Sequence, residues 1–234
     1  MMKAFSGKYQ GIKYLLTHPH QLKWVLNREI YFSRREESKK NWVEWQKYDS
    51  YDHVYWVSKY AEITAKLNEA RIQTISEWVN HLGSCLRVLD VGSGDGAVGE
   101  RIFLMGNNVV SIDLPKIASL THRRRVLSVV ACDAETLSFA SDSFDLILAL
   151  EVAEHLWNPN DFWDEARRVL KGEGHLIMSC PEGIRGLDYD SHKHYFTLEN
   201  LEQKLGSRFT VREVKRLRMV GFNAPMIILL LRRT

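Results

Sequence analysis

Val88 to Gly99 read VLDVGSGDGAVG, a short apolar run that passes directly into a glycine-rich turn and then into a helix-forming segment. Glycine suits such a turn because the backbone takes positive φ angles and a ligand can approach it closely. A strand, a glycine loop and a helix in this order are typical of the first unit of a nucleotide-binding βαβ fold. The segment therefore predicts a ligand site at the loop.

Downstream of this loop, short apolar runs alternate with segments of helical spacing, which indicates a buried, mostly parallel sheet. The predicted strands are 86–91, 108–113, 126–131, 144–150, 174–180, 209–219 and 224–232. The predicted helices between them are 97–105, 115–123, 159–171 and 198–205.

The last two predicted strands are joined only by Val220 to Asn223, which is too short for a crossover helix and predicts a hairpin. The expected fold class is thus α/β: a Rossmann-like seven-stranded sheet, parallel except for one antiparallel strand at its end, with an N-terminal helical cap.

The cap is indicated by the first 60 residues, which hold 13 of the 25 aromatic side chains, among them Trp24, Trp42, Trp45 and Trp56. Helical spacing there predicts two or three helices, the last ending near Gly83. The expected domains are a cap or substrate region at 1–80 and a ligand-binding domain at 81–234. The aromatics either pack the helices onto the main domain or line a lid over a ligand.

Composition sets broad limits on the class of protein. With 234 residues, 45% hydrophobic and 26% charged, the chain can form a core and is not of a disordered class. A net charge of +3 is too mild for a dedicated nucleic-acid binder. Three scattered cysteines predict reduced thiols and a cytoplasmic location. We expect no export signal and no membrane span, since no apolar run approaches about 20 residues.

The glycine loop could serve two cofactors. From Gly94 onward it reads G-x-G-x-x-G, and Asp113 follows where a ribose-binding acid is expected, so an NAD-dependent dehydrogenase stays open on these residues alone. Asp90 and Asp95, however, lie where a pyrophosphate would need positive charge. Two carboxylates suit a ligand with a positive centre, such as the sulfonium and ammonium of S-adenosylmethionine.

Residues 84–205 resemble the class I S-adenosylmethionine-dependent methyltransferases of the small-molecule type. Residues 88–96 look like the first motif of that family, 111–114 like the second and 131–135 like the third. Residues 143–147 together with 151–156, and residues 167–174 and 194–201, resemble later blocks, although Glu173 stands where a glycine is usual.

The resemblance implies roles for single residues, with S-adenosylmethionine as cofactor and S-adenosylhomocysteine as product. Asp113 would bind the ribose hydroxyls, Leu114 would pack on adenine, Asp133 would accept from the adenine amino group and the Ala134 amide would face the ring. The implied cofactor-binding set is Asp90, Gly92, Ser93, Gly94, Gly96, Asp113, Leu114, Asp133, Ala134 and Glu151.

A base is needed only if the methyl acceptor is poorly nucleophilic, as a hydroxyl or protonated amine is. One candidate is His155, just after the fourth strand, which could instead cap the next helix. The other lies in 188–194, where Asp188, Asp190, His192 and His194 alternate. That run could orient a base, hold a metal or be a solvated loop, and we assign no metal ligands from it.

The sequence predicts methyl transfer to a hydroxyl or amine of a small or carrier-linked acceptor, with a sugar or surface-glycan precursor preferred. An NAD-dependent oxidoreductase, an RNA methyltransferase and a catalytically silent cofactor-binding scaffold remain as alternatives. A nucleobase substrate is disfavoured, since the residues after the fourth strand, Ala149 to Val152, lack the Asn/Asp-Pro-Pro-aromatic motif of base-modifying enzymes. The basic clusters at Arg123–Arg125 and at 212–218 are read as solvated faces. The oligomeric state does not follow from the sequence.

Overall fold

A computed structural model of the chain describes residues 37–43, 61–115, 118, 126–183, 192–218 and 225–234. The chain forms two compact units, Met1–Asp49 and Ser50–Thr234. In the first unit, residues 39–43 form a short helix that includes Trp42. Trp24, Trp45 and Trp56 lie outside the described residues, so the role of the aromatic cap stays a prediction.

The second unit alternates strands and helices in the predicted order. The strands are β1 Arg87–Val91, β2 Asn108–Asp113, β3 Ser128–Ala131, β4 Phe144–Leu150, β5 Leu170–Pro181, β6 Phe209–Arg218 and β7 Pro225–Arg233. The helices are α1 Ala61–Leu82, α2 Ala97–Leu104, α3 Pro159–Val169 and α4 Leu198–Leu205. Most of the predicted helix 115–123 falls outside the described residues.

All seven strands form one sheet, in the order β3-β2-β1-β4-β5-β7-β6. Neighbouring strands from β3 to β5 run parallel, whereas β7 runs antiparallel to both β5 and β6. The predicted fold class is confirmed. The antiparallel strand lies one place in from the edge, because Arg218 of β6 pairs with Pro225 of β7 and β7 also pairs with β5.

Helices cover both faces of the sheet, as the alternation along β4 requires. Leu146 and Leu148 belong to a core shared with α1 and α2, whereas Ile147 and Ala149 belong to a core shared with α3 and α4. All four side chains are at most 1% exposed. Because both faces are buried, β4 reads as a continuous apolar run.

Helix α1 packs with the sheet through Ile75, Trp78 and Val79, which are buried in the same core as α2. The indole Nε1 of Trp78 donates a 2.8 Å hydrogen bond to Glu213 Oε2 on β6. The second unit therefore includes α1, which the sequence had placed in the cap region that ends at residue 80. Throughout the described residues, each helix is too short or too polar to cross a membrane.

Candidate active site at the carboxyl end of the sheet

The glycine loop after β1 is fixed by main-chain bonds to β2. The N–H groups of Gly92 and Ser93 donate to the Ile112 carbonyl at 2.9 and 3.1 Å. Gly92 has a φ of 67°, and a Cβ at this position would lie 2.5 Å from Val152 Cγ2. Only glycine fits there, because the loop passes tightly over the segment that follows β4. The two loops therefore share one edge of the sheet.

Asp113, the last residue of β2, organises this loop. Its carboxylate accepts hydrogen bonds from the Gly94 N–H at 2.9 Å and from the Leu114 N–H at 2.7 Å. Burial raises the pKa of Asp113 to about 6, although both hydrogen bonds oppose that shift. A carboxylate has about four acceptor positions, so two remain for ligand hydroxyl groups. This geometry fits the ribose-binding role that the resemblance implies.

Asp90, near the end of β1, lies beneath the loop and is 3% exposed. Its Oδ2 accepts a 3.3 Å hydrogen bond from Ser111 Oγ, and a Cβ on Gly99 of α2 would lie 2.7 Å from the same oxygen. Burial raises the pKa of Asp90 to about 7. The carboxyl group therefore lies against β2 and α2, and these contacts are within the domain.

Asp95 lies at the start of α2, where Gly96 occupies the N-cap position with a φ of 78°. Asp95 Oδ1 accepts a 3.0 Å hydrogen bond from the Ala97 N–H, one of the amide groups at the helix N-terminus. A dinucleotide pyrophosphate would need that same corner. The position of the Asp95 carboxylate therefore disfavours a dinucleotide.

The third motif lies beside Asp113, at the end of β3. The Cys132 N–H donates to the Asp113 carbonyl at 3.0 Å, and Asp133 Oδ1 accepts from the Glu135 N–H at 2.9 Å. Asp133 and Ala134 are half-buried. An acceptor here, next to the ribose-binding candidate, fits the adenine-binding role that the resemblance implies.

The turn after β4 begins at Glu151, which has a φ of 57°. Such an angle is uncommon for a residue other than glycine and is concentrated at functional sites. Ser179 on β5 holds the side chain through a 2.8 Å hydrogen bond from its Oγ to Glu151 Oε1. Burial raises the pKa of Glu151. A strained acidic residue thus marks the carboxyl end of the central strand.

Glu154 follows in a single turn of 3-10 helix, Ala153–His155, and is 1% exposed. Neither carboxylate oxygen has a hydrogen-bond partner. Burial raises the pKa of Glu154 well above its ordinary value, and the neighbouring Glu151 raises it further. The sequence reasoning missed this residue, although its position one turn after Glu151 and beside apolar Val152 and Ala153 was a usable signal.

The histidines predicted as bases separate into two environments. The rings of His155 and His192 meet edge to face, with centroids 4.9 Å apart. His194 instead places Nε2 3.0 Å from the Leu156 carbonyl and 3.4 Å from that of Trp157. Asp188 and Asp190 lie outside the described residues. His155 and His192 are therefore brought together, whereas His194 anchors the chain.

The segment that carries His192 is docked on the turn after β4. The N–H groups of Lys193 and His194 both donate to the Glu154 carbonyl, at 2.8 and 3.1 Å. The Lys193 ammonium lies 4.2 Å from the centre of the Trp157 ring, within cation–π range. Main-chain and side-chain contacts thus hold the two segments in one arrangement.

Arg71 of α1 is a second residue that sequence reasoning missed. Its positive charge lowers the pKa of Asp90, Glu151 and Glu154 against the opposing effect of burial. An arginine in an amphipathic helix carries no sequence signal of such a role, because the relation depends on how α1 packs. Helix α1 therefore contributes charge to the carboxyl edge of the sheet.

These residues fit S-adenosylmethionine. Asp113 and Asp133 offer half-buried acceptors for an adenosine group, and a Cβ on Gly94 would meet nothing within 4 Å, so the loop leaves room beside its backbone. At the start of α2, the Asp95 carboxylate accepts from the Ala97 N–H, a position that a phosphate would otherwise use. The arrangement suits a ligand with a positive centre and no phosphate.

In comparisons with known proteins, the chain is similar to methyltransferases. Residues 89–178 match the family described as the methyltransferase domain. A ubiquinone biosynthesis O-methyltransferase of Agrobacterium fabrum is 39% identical over 100 residues, which are 40% of this chain and 40% of that protein. A probable S-adenosylmethionine-dependent methyltransferase of Mycobacterium tuberculosis is 31% identical over 99 residues, 42% of this chain and 36% of that protein.

The matches extend further in some relatives. The ubiquinone biosynthesis O-methyltransferase of Rickettsia prowazekii is 30% identical over 150 residues, 59% of each chain. This chain therefore spans between 36% and 59% of the length of these curated relatives.

Among solved structures, the fold is similar to the 1,6-didemethyltoxoflavin-N1-methyltransferase of Burkholderia thailandensis, which was solved with S-adenosylhomocysteine bound. The TM-score is 0.60 at 21% identity, over 78% of this chain and 90% of that one. At this identity the similarity shows the fold. The matched methyltransferase domain and the curated methyltransferase relatives agree with S-adenosylmethionine rather than NAD as the cofactor.

Proposed function

From the class I S-adenosylmethionine-dependent methyltransferase domain that this chain carries, we propose that it transfers a methyl group to a hydroxyl group of a small or carrier-linked acceptor. An amine acceptor is the second choice. The preferred acceptor class is a polyhydroxylated molecule such as a sugar or surface-glycan precursor. No nucleic-acid partner is needed for this activity.

The observation that carries the proposal is the pairing of His155 with His192 at the carboxyl end of β4. Open α/β sheets bind their ligands at this edge, and the glycine loop adjoins it through the contact of Gly92 with Val152. Bound S-adenosylmethionine supplies an electrophilic methyl group. Beside it, His155 accepts the proton of the acceptor hydroxyl at a ring nitrogen, and His192 orients that ring.

Preference for a hydroxyl group is supported by the relatives. Those of Agrobacterium fabrum and Rickettsia prowazekii are named O-methyltransferases, so in them the methyl group goes to oxygen. A neutral hydroxyl is a poor nucleophile and needs a base, which the histidine pair can provide. The same pair would be dispensable for an acceptor that is already strongly nucleophilic.

A polyhydroxylated acceptor is supported by the polar groups that meet at the turn after β4. The segment 192–194 docks there through the Glu154 carbonyl, so its side chains lie at the edge where the methyl group is expected. Imidazole and carboxyl groups form hydrogen bonds with sugar hydroxyls. Half-buried Trp157 adds an apolar surface against which a ring could lie.

We place the reaction in the cytoplasm. All three cysteines, Cys85, Cys132 and Cys180, are free thiols. Persistent free thiols are typical of reducing compartments, where disulfides are rare.

The test is a calorimetric titration of the purified chain with S-adenosylmethionine, S-adenosylhomocysteine and NAD in parallel. Micromolar binding of S-adenosylmethionine and S-adenosylhomocysteine, with no binding of NAD, supports S-adenosylmethionine as the cofactor. Methyl transfer from labelled S-adenosylmethionine is then measured to nucleotide sugars, phenols, amines and RNA. Transfer to a hydroxyl supports the proposal. Transfer only to RNA, with binding that falls steeply with salt, would support the nucleic-acid alternative. Binding without any transfer would support the silent scaffold.

A further inference from the structure

We propose that Glu154, His155 and His192 bind a divalent first-row transition cation such as Zn²⁺ or Mn²⁺. We further infer that the open coordination positions of this cation take the hydroxyl oxygen of the acceptor. The metal site stands on the structure alone, whereas its contact with an acceptor rests on the proposed function.

The three side chains converge. One ligand-capable atom from each of them lies within 4.8 Å of the others. Around a tetrahedral cation with bonds of about 2.0–2.1 Å, ligand atoms are separated by about 3.4 Å. The atoms therefore need to approach by about 1.4 Å at most, which small side-chain rotations can supply.

A second observation points to the same place. Glu154 is 1% exposed, and neither of its carboxylate oxygens has a hydrogen-bond partner. The charge of Arg71 acts on this carboxyl group, but Arg71 forms no hydrogen bond with either of its oxygens. A buried carboxylate without hydrogen-bonded partners is costly, and buried charges are normally paired or coordinate metals. A cation between this carboxylate and the two imidazoles would remove that cost.

The ligands come from two segments that the main chain already holds together. Glu154 and His155 belong to the turn after β4, and His192 belongs to the segment that returns towards α4. The Lys193 and His194 N–H groups donate to the Glu154 carbonyl at 2.8 and 3.1 Å. A site that is organised before the metal arrives loses little entropy on binding.

The donor set selects the kind of metal. Mg²⁺ and Ca²⁺ prefer oxygen ligands, whereas imidazole suits zinc and the later transition metals. Two histidines and one carboxylate leave coordination positions open, as in catalytic zinc sites. A cation in such a site lowers the pKa of a bound water or hydroxyl group, to about 7 for water on zinc. The cation would therefore promote the deprotonation that an oxygen acceptor requires. With the cation bound, His155 acts as its ligand, and the cation takes over the role that the His155 base has in the metal-free site.

The experiment uses the full chain, freed of metal by chelator and of any histidine tag. Binding of Zn²⁺, Mn²⁺ and Mg²⁺ is measured by calorimetry without cofactor, and bound Mn²⁺ is followed by electron paramagnetic resonance. We expect one equivalent of Zn²⁺ or Mn²⁺ and much weaker binding of Mg²⁺. Glu154→Gln and His192→Gln should each weaken binding by at least about tenfold, since each removes a ligand.

His194→Gln is the matched control, because His194 is a neighbouring imidazole that faces two backbone carbonyls instead of the cluster. It should retain the affinity of the unmodified chain for Zn²⁺, and circular dichroism should show each variant folded. Absence of binding to the folded chain, or equal affinity in His192→Gln, would overturn the proposal. If a variant unfolds, the electron paramagnetic resonance spectrum of Mn²⁺ bound to the unmodified chain still tests the site. Imidazole nitrogen ligands give a hyperfine coupling to Mn²⁺ that oxygen ligands do not.

Failure of this inference and failure of the proposed function are distinguishable. Methyl transfer to a hydroxyl group that proceeds unchanged in excess chelator would overturn the contact between the cation and the acceptor and leave the proposed function standing. Absence of Zn²⁺ and Mn²⁺ binding to the folded chain, together with methyl transfer to a hydroxyl group, would overturn the metal site and leave the function standing. Stoichiometric Zn²⁺ binding without any methyl transfer would support the metal site and count against the function.

Discussion

The carboxylate of Asp113 at the end of β2 accepts a 2.9 Å hydrogen bond from the Gly94 N–H in the loop after β1. Two motifs that the sequence presents as separate ligand contacts are thus one structural unit. A change at Asp113 would affect both the acceptor offered to a ribose and the position of the glycine loop.

Replacing Asp113 with alanine should therefore weaken binding of S-adenosylmethionine. The loss of a charge-assisted hydrogen bond costs about 1.5–3 kcal/mol, which is about a 10- to 150-fold rise in the dissociation constant. Calorimetric titration with S-adenosylmethionine measures this dissociation constant. Asp161→Ala, at an exposed position in the first turn of α3, is the control and should leave the constant unchanged. Equal dissociation constants for the two variants would show that Asp113 does not bind the cofactor.

Gly92→Ala should destabilise the fold more than Gly94→Ala. Both residues have a positive φ, but a Cβ at position 92 would lie 2.5 Å from Val152 Cγ2, whereas a Cβ at position 94 meets nothing within 4 Å. The left-handed conformation costs about 1–2 kcal/mol in either variant, and overpacking adds about 1–3 kcal/mol only at position 92. Urea unfolding compares the two free energies.

A second substitution tests whether the contact with Val152 causes the destabilisation in Gly92→Ala. Val152→Ala removes the methyl group that the new Cβ would meet, so the double variant should recover part of the stability lost in Gly92→Ala. Strict additivity of the two single changes would show that the contact between these positions is not responsible.

His155→Ala should lower turnover by about 10²- to 10⁴-fold while changing cofactor affinity little, because general base catalysis acts on the acceptor. His194→Ala should mainly lower stability, since its ring bonds the Leu156 and Trp157 carbonyls. Steady-state kinetics with the acceptor identified in the screen, together with thermal unfolding, separates the two effects. The opposite pattern would make His155 the structural residue.

The contribution of Asp90 to the stability of the unliganded chain should fall as the pH rises from about 4 to about 8. Burial raises the pKa of Asp90 from 3.8 to about 7, so the folded state holds a proton that the unfolded state releases. The stabilising effect of that proton is complete below the unfolded pKa and is lost as the pH passes through the folded one. Asp113, with a pKa of about 6, contributes in the same direction.

Asp90→Asn should flatten this dependence, because an amide does not titrate. Urea unfolding is measured across the pH range for the unmodified chain, for Asp90→Asn and for Glu202→Gln, an exposed carboxyl group on α4. A slope that is the same in all three chains would exclude Asp90 as its source.

The sheet could be predicted from the sequence because strands buried on both faces read as apolar runs, as Phe144–Leu150 does. The start of β5 was predicted four residues too late, at 174 instead of Leu170. Leu170 pairs with Phe144 before a register shift, and the charged and glycine residues that follow hid this extension. For the same reason, helix α3 ends at Val169 and not at the predicted residue 171.

The glycine loop and its acidic partners could also be predicted, because their spacing is local. The contribution of Arg71 could not, since it depends on how α1 packs against the sheet. The isolation of the Glu154 carboxylate is likewise a property of the folded state, because no local pattern shows whether a buried acid finds a hydrogen-bond donor.

Strand β7 lies between β5 and β6 although it follows both in the chain. During synthesis, β6 emerges from the ribosome before the strand on which it must pair. Until β7 arrives, the long edge of β5 stays unpaired, and such edges are sites of intermolecular strand pairing. The half of the sheet that holds Ser179 and the turn after β4 is therefore the last to be completed, and a nascent chain that stalls before residue 225 would expose that edge to aggregation.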